Sequence, residues 1–127
     1  MTKEVFETKN APAPVGPYSQ AIGWNNFLFC SGQIPLDPES GQVLTGDIKE
    51  QTQLAMKNAG EVLKAAGLNF DNVVKATIFI TNMKDFSQVN EVYSTYFRDK
   101  PPARSCVEVS ALPKGVNVEI ELIAAKP

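Results

Sequence analysis

The alternation of apolar and polar residues predicts most of the strands in this chain. Residues 21–24 and 27–31 are short apolar runs separated by two asparagines, which tolerate the positive φ of a two-residue turn. They predict a β-hairpin, which follows a short strand candidate at residues 4–7. Residues 73–80 become apolar on both faces toward their end, which indicates a central strand that is covered on both sides.

Two other segments place their apolar residues at helical spacing. The first begins at Asp47, which can cap the amino terminus of a helix, and ends at Gly67. The second is predicted over residues 84–97 and ends before Pro101 and Pro102. Its buried positions are expected to be Phe86, Val89, Tyr93 and either Tyr96 or Phe97.

The last two strands are predicted at residues 101–109 and 118–122, on either side of a turn at residues 113–115. We expect an antiparallel hairpin whose register pairs apolar with apolar residues, so that Val107 faces Ile120. The order of elements is then β-β-β-α-β-α-β-β, within one domain over residues 1–127. Two helices cover one face of such a sheet, so the other face requires a partner chain.

The face of the predicted hairpin opposite Val107 and Ile120 carries polar side chains. Arg104, Cys106 and Glu108 share this face with Glu119 and Glu121. Glu108 lies opposite Glu119, and two like charges in that position are unfavourable unless a cation, a partner or a ligand separates them. Such a conflict can mark a site. The alternative is a diagonal surface ion pair between Arg104 and Glu121, with the other carboxylates solvated.

Composition excludes several classes of function. Of the 127 residues, 43% are hydrophobic and 20% charged, as in an ordinary globular protein. The net charge of -2 gives no general attraction to nucleic acid or to an anionic membrane. No apolar run approaches a membrane span, and the first residues lack the apolar stretch of a signal peptide. We therefore expect a cytoplasmic protein.

The chain has two cysteines and no histidine. Cys30 and Cys106 are expected to be free and reduced, because no export signal is visible. A nucleophilic cysteine usually needs a base, and histidine, the commonest base and metal ligand, is missing. No carboxylate cluster has metal-binding spacing. These observations favour chemistry without a metal or a covalent cysteine intermediate.

Several motifs resemble one known family in the right order along the chain. They are Pro-Ala-Arg-Ser-Cys-Val-Glu-Val at residues 102–109 and Ile-Glu-Leu-Ile-Ala at 120–124, with upstream matches at 16–21, 31–35 and 89–93. Together they resemble the RidA family, also called the YjgF family, over nearly the whole chain. The resemblance implies an α+β, chorismate-mutase-like fold with one mixed sheet and two helices on one face. It also implies a homotrimeric barrel with clefts between subunits.

The resemblance further implies a reaction and the two residues that carry it. The reaction is hydrolysis of 2-iminobutanoate or 2-iminopropanoate, with their enamine tautomers, to 2-oxo acids and ammonia, without a cofactor. Arg104 is expected to anchor the substrate carboxylate, which a guanidinium matches bidentately. Glu119 is expected to position water and to carry protons. Family alignment favours Glu119, and Glu121 on the same strand face is the replacement.

Further substrate-binding residues are expected to be Tyr18, Ser31, Gly32, Asn90 and Cys106. Glycine lets a ligand approach the backbone closely at position 32, and backbone groups near positions 32 and 106 are expected to orient the ligand. Tyr18 follows a stiff proline-rich segment, and its alternative is an ordinary packing aromatic. The alternative for Asn90 is a structural residue on an amphipathic helix.

Two other classes of function stay open. A regulatory protein could bind 2-oxo acids in the same cleft without turnover. Members of the family have also been described as ribonucleases or translation inhibitors and as chaperones. The acidic balance, the lack of histidine and the lack of a basic, aromatic stripe argue against RNA cleavage.

Overall fold

The computed structural model describes residues 2–127, which form one mixed sheet of six strands and two α-helices. The strands follow the order β1-β2-β3-β6-β4-β5 across the sheet. The predicted α+β class and the predicted order of elements are confirmed. The elements are β1 (Glu4–Phe6), β2 (Ala21–Trp24), β3 (Phe27–Cys30), α1 (Ile48–Ala65), β4 (Val73–Ile80), α2 (Phe86–Ser94), β5 (Ala103–Glu108) and β6 (Val118–Ala125).

Local signals in the sequence fix the first hairpin and the first helix. β2 and β3 pair antiparallel, and Asn25 takes the positive φ of 55° that the turn requires. The Asp47 side chain accepts hydrogen bonds from the backbone N–H groups of Lys49 (2.8 Å) and Glu50 (3.2 Å). Gly67 follows the end of α1 with a φ of 75°. The hairpin and both ends of the helix are as predicted.

The predicted pairing of the last two strands is wrong, because β4 lies between them. β6 pairs antiparallel with β4, and β5 pairs parallel with the other edge of β4 after α2 has crossed the sheet. Val107 therefore lies beside Phe79 rather than Ile120, which lies beside Ile78. The physical reason is that β4, apolar on both faces toward its end, takes a central position, where its backbone N–H and C=O groups are paired at both edges.

The second helix is shorter than predicted. A 3-10 turn at Met83–Asp85 precedes α2, which ends at Ser94. The backbone N–H of Tyr96 donates to the Tyr93 carbonyl at 3.1 Å, an i to i+3 bond that tightens the chain after the helix. The expected burial of aromatic residues is retained, since Tyr96 and Phe97 are partly buried against the core.

The two faces of the sheet differ in how they are covered. The helices and the inward-facing residues of β4 and β6 form the core. On the opposite face, Phe27 is 46% exposed, Phe29 45% and Val107 40%. We call this surface the open face. No helix formed by residues 2–127 has the length and apolarity needed to cross a membrane.

Substitution of Ile78 tests how tightly the central strand β4 is packed. It is fully buried between β5 and β6. We expect Ile78→Ala to lower the free energy of unfolding by about 2–5 kcal/mol and Ile78→Val by about 0.5–1.5 kcal/mol. Denaturant titration at one fixed protein concentration measures both, because the stability of an oligomer depends on concentration. Equal costs for the two variants would contradict this packing.

Candidate functional site

Four of the predicted site residues line one cavity of about 350 Å³, which we call the Glu119 cavity. They are Tyr18, Ser31, Gly32 and Glu119. The proline-rich segment before Tyr18 forms one wall. The sequence predicts no role in the site for the other residues of the lining, among them Gln33, Ile34, Leu36, Pro113 and Lys114.

Two hydrogen bonds of Ser31 hold the segment after β3 at the site. The Ser31 N–H donates to the Gln20 carbonyl at 2.8 Å, and the Ser31 hydroxyl donates to the Ser19 carbonyl at 2.6 Å. These bonds tie the end of β3 to the residues that directly follow Tyr18, which is 51% exposed. Tyr18 is therefore held at the rim of the cavity rather than packed in the core.

Gly32 lies directly against the Glu119 carboxylate. Gln33 and Ile120 exchange backbone hydrogen bonds of 2.8 and 3.0 Å, which place the glycine beside β6. A Cβ atom at position 32 would lie 2.8 Å from the Glu119 Cδ and would collide with the carboxylate oxygen. The close approach of these two groups therefore requires glycine at this position.

The environment of Glu119 changes its acidity. Its side chain is partly buried, and this burial raises the pKa of the carboxyl group, with a smaller contribution from the charge of Glu121. A carboxylate with a raised pKa is a better proton acceptor than an exposed one. Glu121 is exposed and does not line the cavity. The geometry thus favours Glu119 over Glu121 as a general base.

Arg104 lies in a second depression of about 440 Å³, the Arg104 cleft, between α2 and β5. Its Nη1 donates to Asn90 Oδ1 at 2.6 Å. Its Cζ lies 5.4 Å from the centre of the Phe86 ring and 5.0 Å from that of Tyr93. The partner of Arg104 is thus Asn90 rather than Glu121. The lining residues are Asn90, Tyr93, Ser94, Phe97, Pro101, Pro102 and Arg104.

Cys106 lies on the same face of β5 as Arg104, as predicted, and is packed partly against the core. Burial raises the pKa of the Cys106 thiol, and the nearby Arg104 charge offsets part of this rise. Burial also raises the pKa of Cys30 to about 12. Both residues are free cysteines whose environments favour the protonated thiol over the nucleophilic thiolate.

Arg104 and Glu119 lie on opposite faces of the sheet. In the ladders of β4, Arg104 is beside Ala76 and Glu119 is beside Phe79. Side chains alternate between faces along a strand, and positions 76 and 79 are an odd number of residues apart. The prediction that one polar face holds both residues is therefore wrong for a single chain. It failed because it placed β5 directly beside β6.

The predicted opposition of Glu108 and Glu119 is also wrong. Glu108 lies beside Ile80, and its carboxylate accepts a hydrogen bond of 2.7 Å from the backbone N–H of Met83. It therefore stabilises the 3-10 turn before α2. Within residues 2–127, no three histidine, cysteine, aspartate or glutamate side chains come together in a way that suits a metal ion.

Each half of this arrangement has a distinct chemical capability. The Glu119 cavity offers a carboxylate that can hold water and accept a proton, within mostly apolar walls. The Arg104 cleft offers a guanidinium that can bind a carboxylate. A single chain presents the two groups on different faces of its sheet, so one small ligand can contact both only when two chains meet.

Known proteins resemble this chain over nearly its whole length. A family model described as Endoribonuclease L-PSP matches residues 8–126. A mouse protein named 2-iminobutanoate/2-iminopropanoate deaminase is 50% identical over 124 residues, which are 98% of this chain and 92% of the mouse protein.

Solved structures agree with the fold in detail. The Rid family protein YyfA of Yersinia pestis has a TM-score of 0.96 and 55% identity, and the match covers 98% of this chain and 100% of that one. TdcF of E. coli, solved with bound serine, has a TM-score of 0.93 and 40% identity, over 98% of this chain and 99% of that one. This chain belongs to the RidA family, to which the Endoribonuclease L-PSP model also assigns it.

Proposed function

We propose that this protein hydrolyses small 2-imino acids, such as 2-iminobutanoate and 2-iminopropanoate with their enamine tautomers, to 2-oxo acids and ammonia. The observation that carries the proposal is the partly buried Glu119 carboxylate, held against Gly32 in a cavity with mostly apolar walls. The name of the mouse relative supports the reaction. The serine bound to TdcF supports a ligand of amino-acid size.

The proposed reaction uses one carboxylate and one water molecule. Glu119 holds water against the carbon of the C=N bond and takes a proton as the C–O bond forms. Glu119 then returns this proton to the imine nitrogen, which gives a carbinolamine. The hydroxyl proton of the carbinolamine passes to the same nitrogen as the C–N bond breaks, so ammonia leaves and the C=O bond of the 2-oxo acid forms. The imine is reactive already, so the proposal includes no cofactor, metal or covalent intermediate.

We propose that the site is completed between subunits of a homotrimer. Arg104 and Glu119 lie on opposite faces of the sheet in one chain, so a ligand that contacts both needs Arg104 of the partner subunit. The exposed aromatic residues Phe27 and Phe29 on the open face favour burial against another chain. A closed ring of identical chains meets both requirements.

The remaining predicted residues receive separate proposed roles. Tyr18 and Ser31 shape the Glu119 cavity, and the backbone at Gly32 approaches the substrate there. The backbone at Cys106 lies on the strand that carries Arg104 and orients the bound carboxylate. Asn90 contacts the arginine directly, so its proposed role is to hold the anchor.

Two alternatives give different results in the same assay. A regulatory 2-oxo-acid-binding protein would bind the product without accelerating loss of the imine. A ribonuclease or translation inhibitor would act on RNA, in line with the description of the family model. The net charge of -2 and the lack of histidine favour a small anionic ligand at Arg104 over RNA.

The decisive test compares Glu119→Gln with Glu121→Gln. The imine is generated in situ from threonine or serine by a dehydratase, and its rate of loss is followed with and without this protein. We expect the wild type to accelerate the loss and Glu119→Gln to lower kcat by about 10²-fold, because the amide cannot accept the proton. Glu121→Gln, on the same strand face but outside the cavity, is expected to stay within about 2-fold.

The dependence of the rate on pH gives an independent check. Catalysis needs the ionised carboxylate, so kcat/KM of the wild type should fall as the pH decreases through the pKa of Glu119, which burial raises. In Glu119→Gln this acid limb should disappear. A wild-type rate equal to the rate in buffer would refute the hydrolase proposal, and an unchanged limb in Glu119→Gln would refute the role of this residue.

A further inference from the structure

We propose that Tyr93 is a positioning residue, whose ring fixes the orientation of the Arg104 guanidinium before the ligand binds. The inference rests on the proposed function of Arg104 as the carboxylate anchor. Tyr93 lies within the matching motif at residues 89–93, but the resemblance implies no role for it in the site.

Three residues of α2 surround the guanidinium. Phe86, Asn90 and Tyr93 are separated by four and then three residues, so they lie on one face of the helix. The two rings lie 5.4 and 5.0 Å from the Arg104 Cζ, and the amide oxygen of Asn90 lies 2.6 Å from Nη1. We call these three residues the arginine holder.

Tyr93 is the most deeply buried part of this holder. Its side chain is only 4% exposed, whereas Phe86 and Asn90 are less deeply buried. The Phe97 ring supports it from another side, with ring centres 4.7 Å apart. A cation stacked on an aromatic face is attracted to it, so a fixed ring fixes the plane of the guanidinium. An anchor that is ordered before binding loses less freedom when the ligand arrives.

The ring of Tyr93, rather than its hydroxyl group, carries this role. The hydroxyl is buried and has no hydrogen-bond partner among residues 2–127. Its removal therefore breaks no bond seen in the chain. Tyr93→Phe keeps the ring and removes the hydroxyl, whereas Tyr93→Leu removes the ring, so the two variants separate the two groups.

The holder leaves donors of Arg104 available for a ligand. Asn90 accepts from Nη1, and no carboxylate within residues 2–127 lies at ion-pair distance from the guanidinium. The Nε and Nη2 edge has the fork geometry that binds a carboxylate bidentately. A ring that fixes this edge sets the direction from which a carboxylate is bound.

The test measures ligand affinity and arginine mobility in three variants. Calorimetry gives the Kd for 2-oxobutanoate, and NMR relaxation of the Arg104 Nε–H reports its mobility, with the exposed Arg98 as the internal reference. We expect Tyr93→Phe to keep the wild-type Kd and an ordered Nε–H. Tyr93→Leu should weaken binding about tenfold and make Arg104 as mobile as Arg98. The control Tyr96→Leu disturbs the same aromatic cluster through Phe70, outside the lining of the Arg104 cleft, and should keep both wild-type values.

Each other outcome overturns the proposal. Equal weakening in Tyr93→Phe and Tyr93→Leu would assign the role to the hydroxyl, and equal weakening in Tyr96→Leu would reduce it to general packing. An Arg104 Nε–H that stays ordered in Tyr93→Leu would show that the ring holds nothing. The NMR result does not depend on turnover or on binding. Failure of the proposed function, seen as no imine hydrolysis, is therefore distinguishable from failure of this inference.

Discussion

Arg104→Ala is expected to lower kcat/KM for the imine substrate by about 10³-fold. In the proposed site the guanidinium supplies a charge-assisted, bidentate partner for the substrate carboxylate, and loss of such a partner costs about 2–5 kcal/mol. Much of the loss should appear in KM, because the carboxylate is bound in the ground state as well as in the transition state. Steady-state kinetics over a range of imine concentrations separates the two constants.

The chain offers a matched control for this variant. Its only other arginine, Arg98, is exposed, so Arg98→Ala removes the same charge without affecting the Arg104 cleft. Its kcat/KM is expected to stay within about 2-fold of the wild type. Arg104→Lys keeps the charge but loses the planar fork, and should recover only part of the activity. Wild-type kinetics in Arg104→Ala would remove this residue from the site.

The sequence predicts the locally determined parts of the fold well. The asparagine turn, the Asp47 cap and the stop at Gly67 each depend on a few neighbouring residues, and the structure has all three. The central position of β4 also follows from its apolar pattern. These features arise from local propensity and from burial along one segment, and both are visible in the order of residues.

The arrangement of the last two strands could not be obtained in the same way. An antiparallel hairpin and a parallel crossover present the same alternation in each strand, so the pattern of β5 and β6 fits both. The deciding property belongs to β4, which needs neighbours at both edges. The assumption that β5 pairs directly with β6 then places Arg104 and Glu119 on one face of the sheet. The motif resemblance selects these two residues, but it does not specify which strands pair.

In the candidate site, too, some features are visible in the sequence and others depend on how the elements pack together. Tyr18, Ser31, Gly32 and Glu119 come together in one cavity, whereas Asn90 and Arg104 line another. The role of Tyr93 was hidden, because a tyrosine at helical spacing is indistinguishable from a core residue in the sequence. Only its position relative to Arg104, a contact between helix and strand, separates the two interpretations.

Mixing two inactive variants is expected to restore activity. In the proposed trimer, each site takes Arg104 from one chain and Glu119 from the next. Chains of Arg104→Ala and Glu119→Gln, combined at equal concentration and allowed to exchange, then form some interfaces that contain both native groups. In a closed ring with random mixing, about a quarter of the interfaces should be complete. At imine concentrations well below the wild-type KM, the mixture should therefore show about a quarter of the wild-type rate, far above either variant alone.

The control for this experiment keeps the assembly and removes the complementation. The double variant Arg104→Ala/Glu119→Gln, mixed with Arg104→Ala, forms the same mixed trimers, but no interface regains an arginine. Two different affinity tags show that chains have exchanged, and light scattering gives the mass of the assembly. If tagged mixed trimers form and activity stays at the level of the separate variants, the site does not combine these two residues from different chains. Restored activity is expected because Arg104 and Glu119 lie on opposite faces of one sheet, so that each site needs one group from each of two chains. The Glu119→Gln chain supplies Arg104, and the Arg104→Ala chain supplies Glu119.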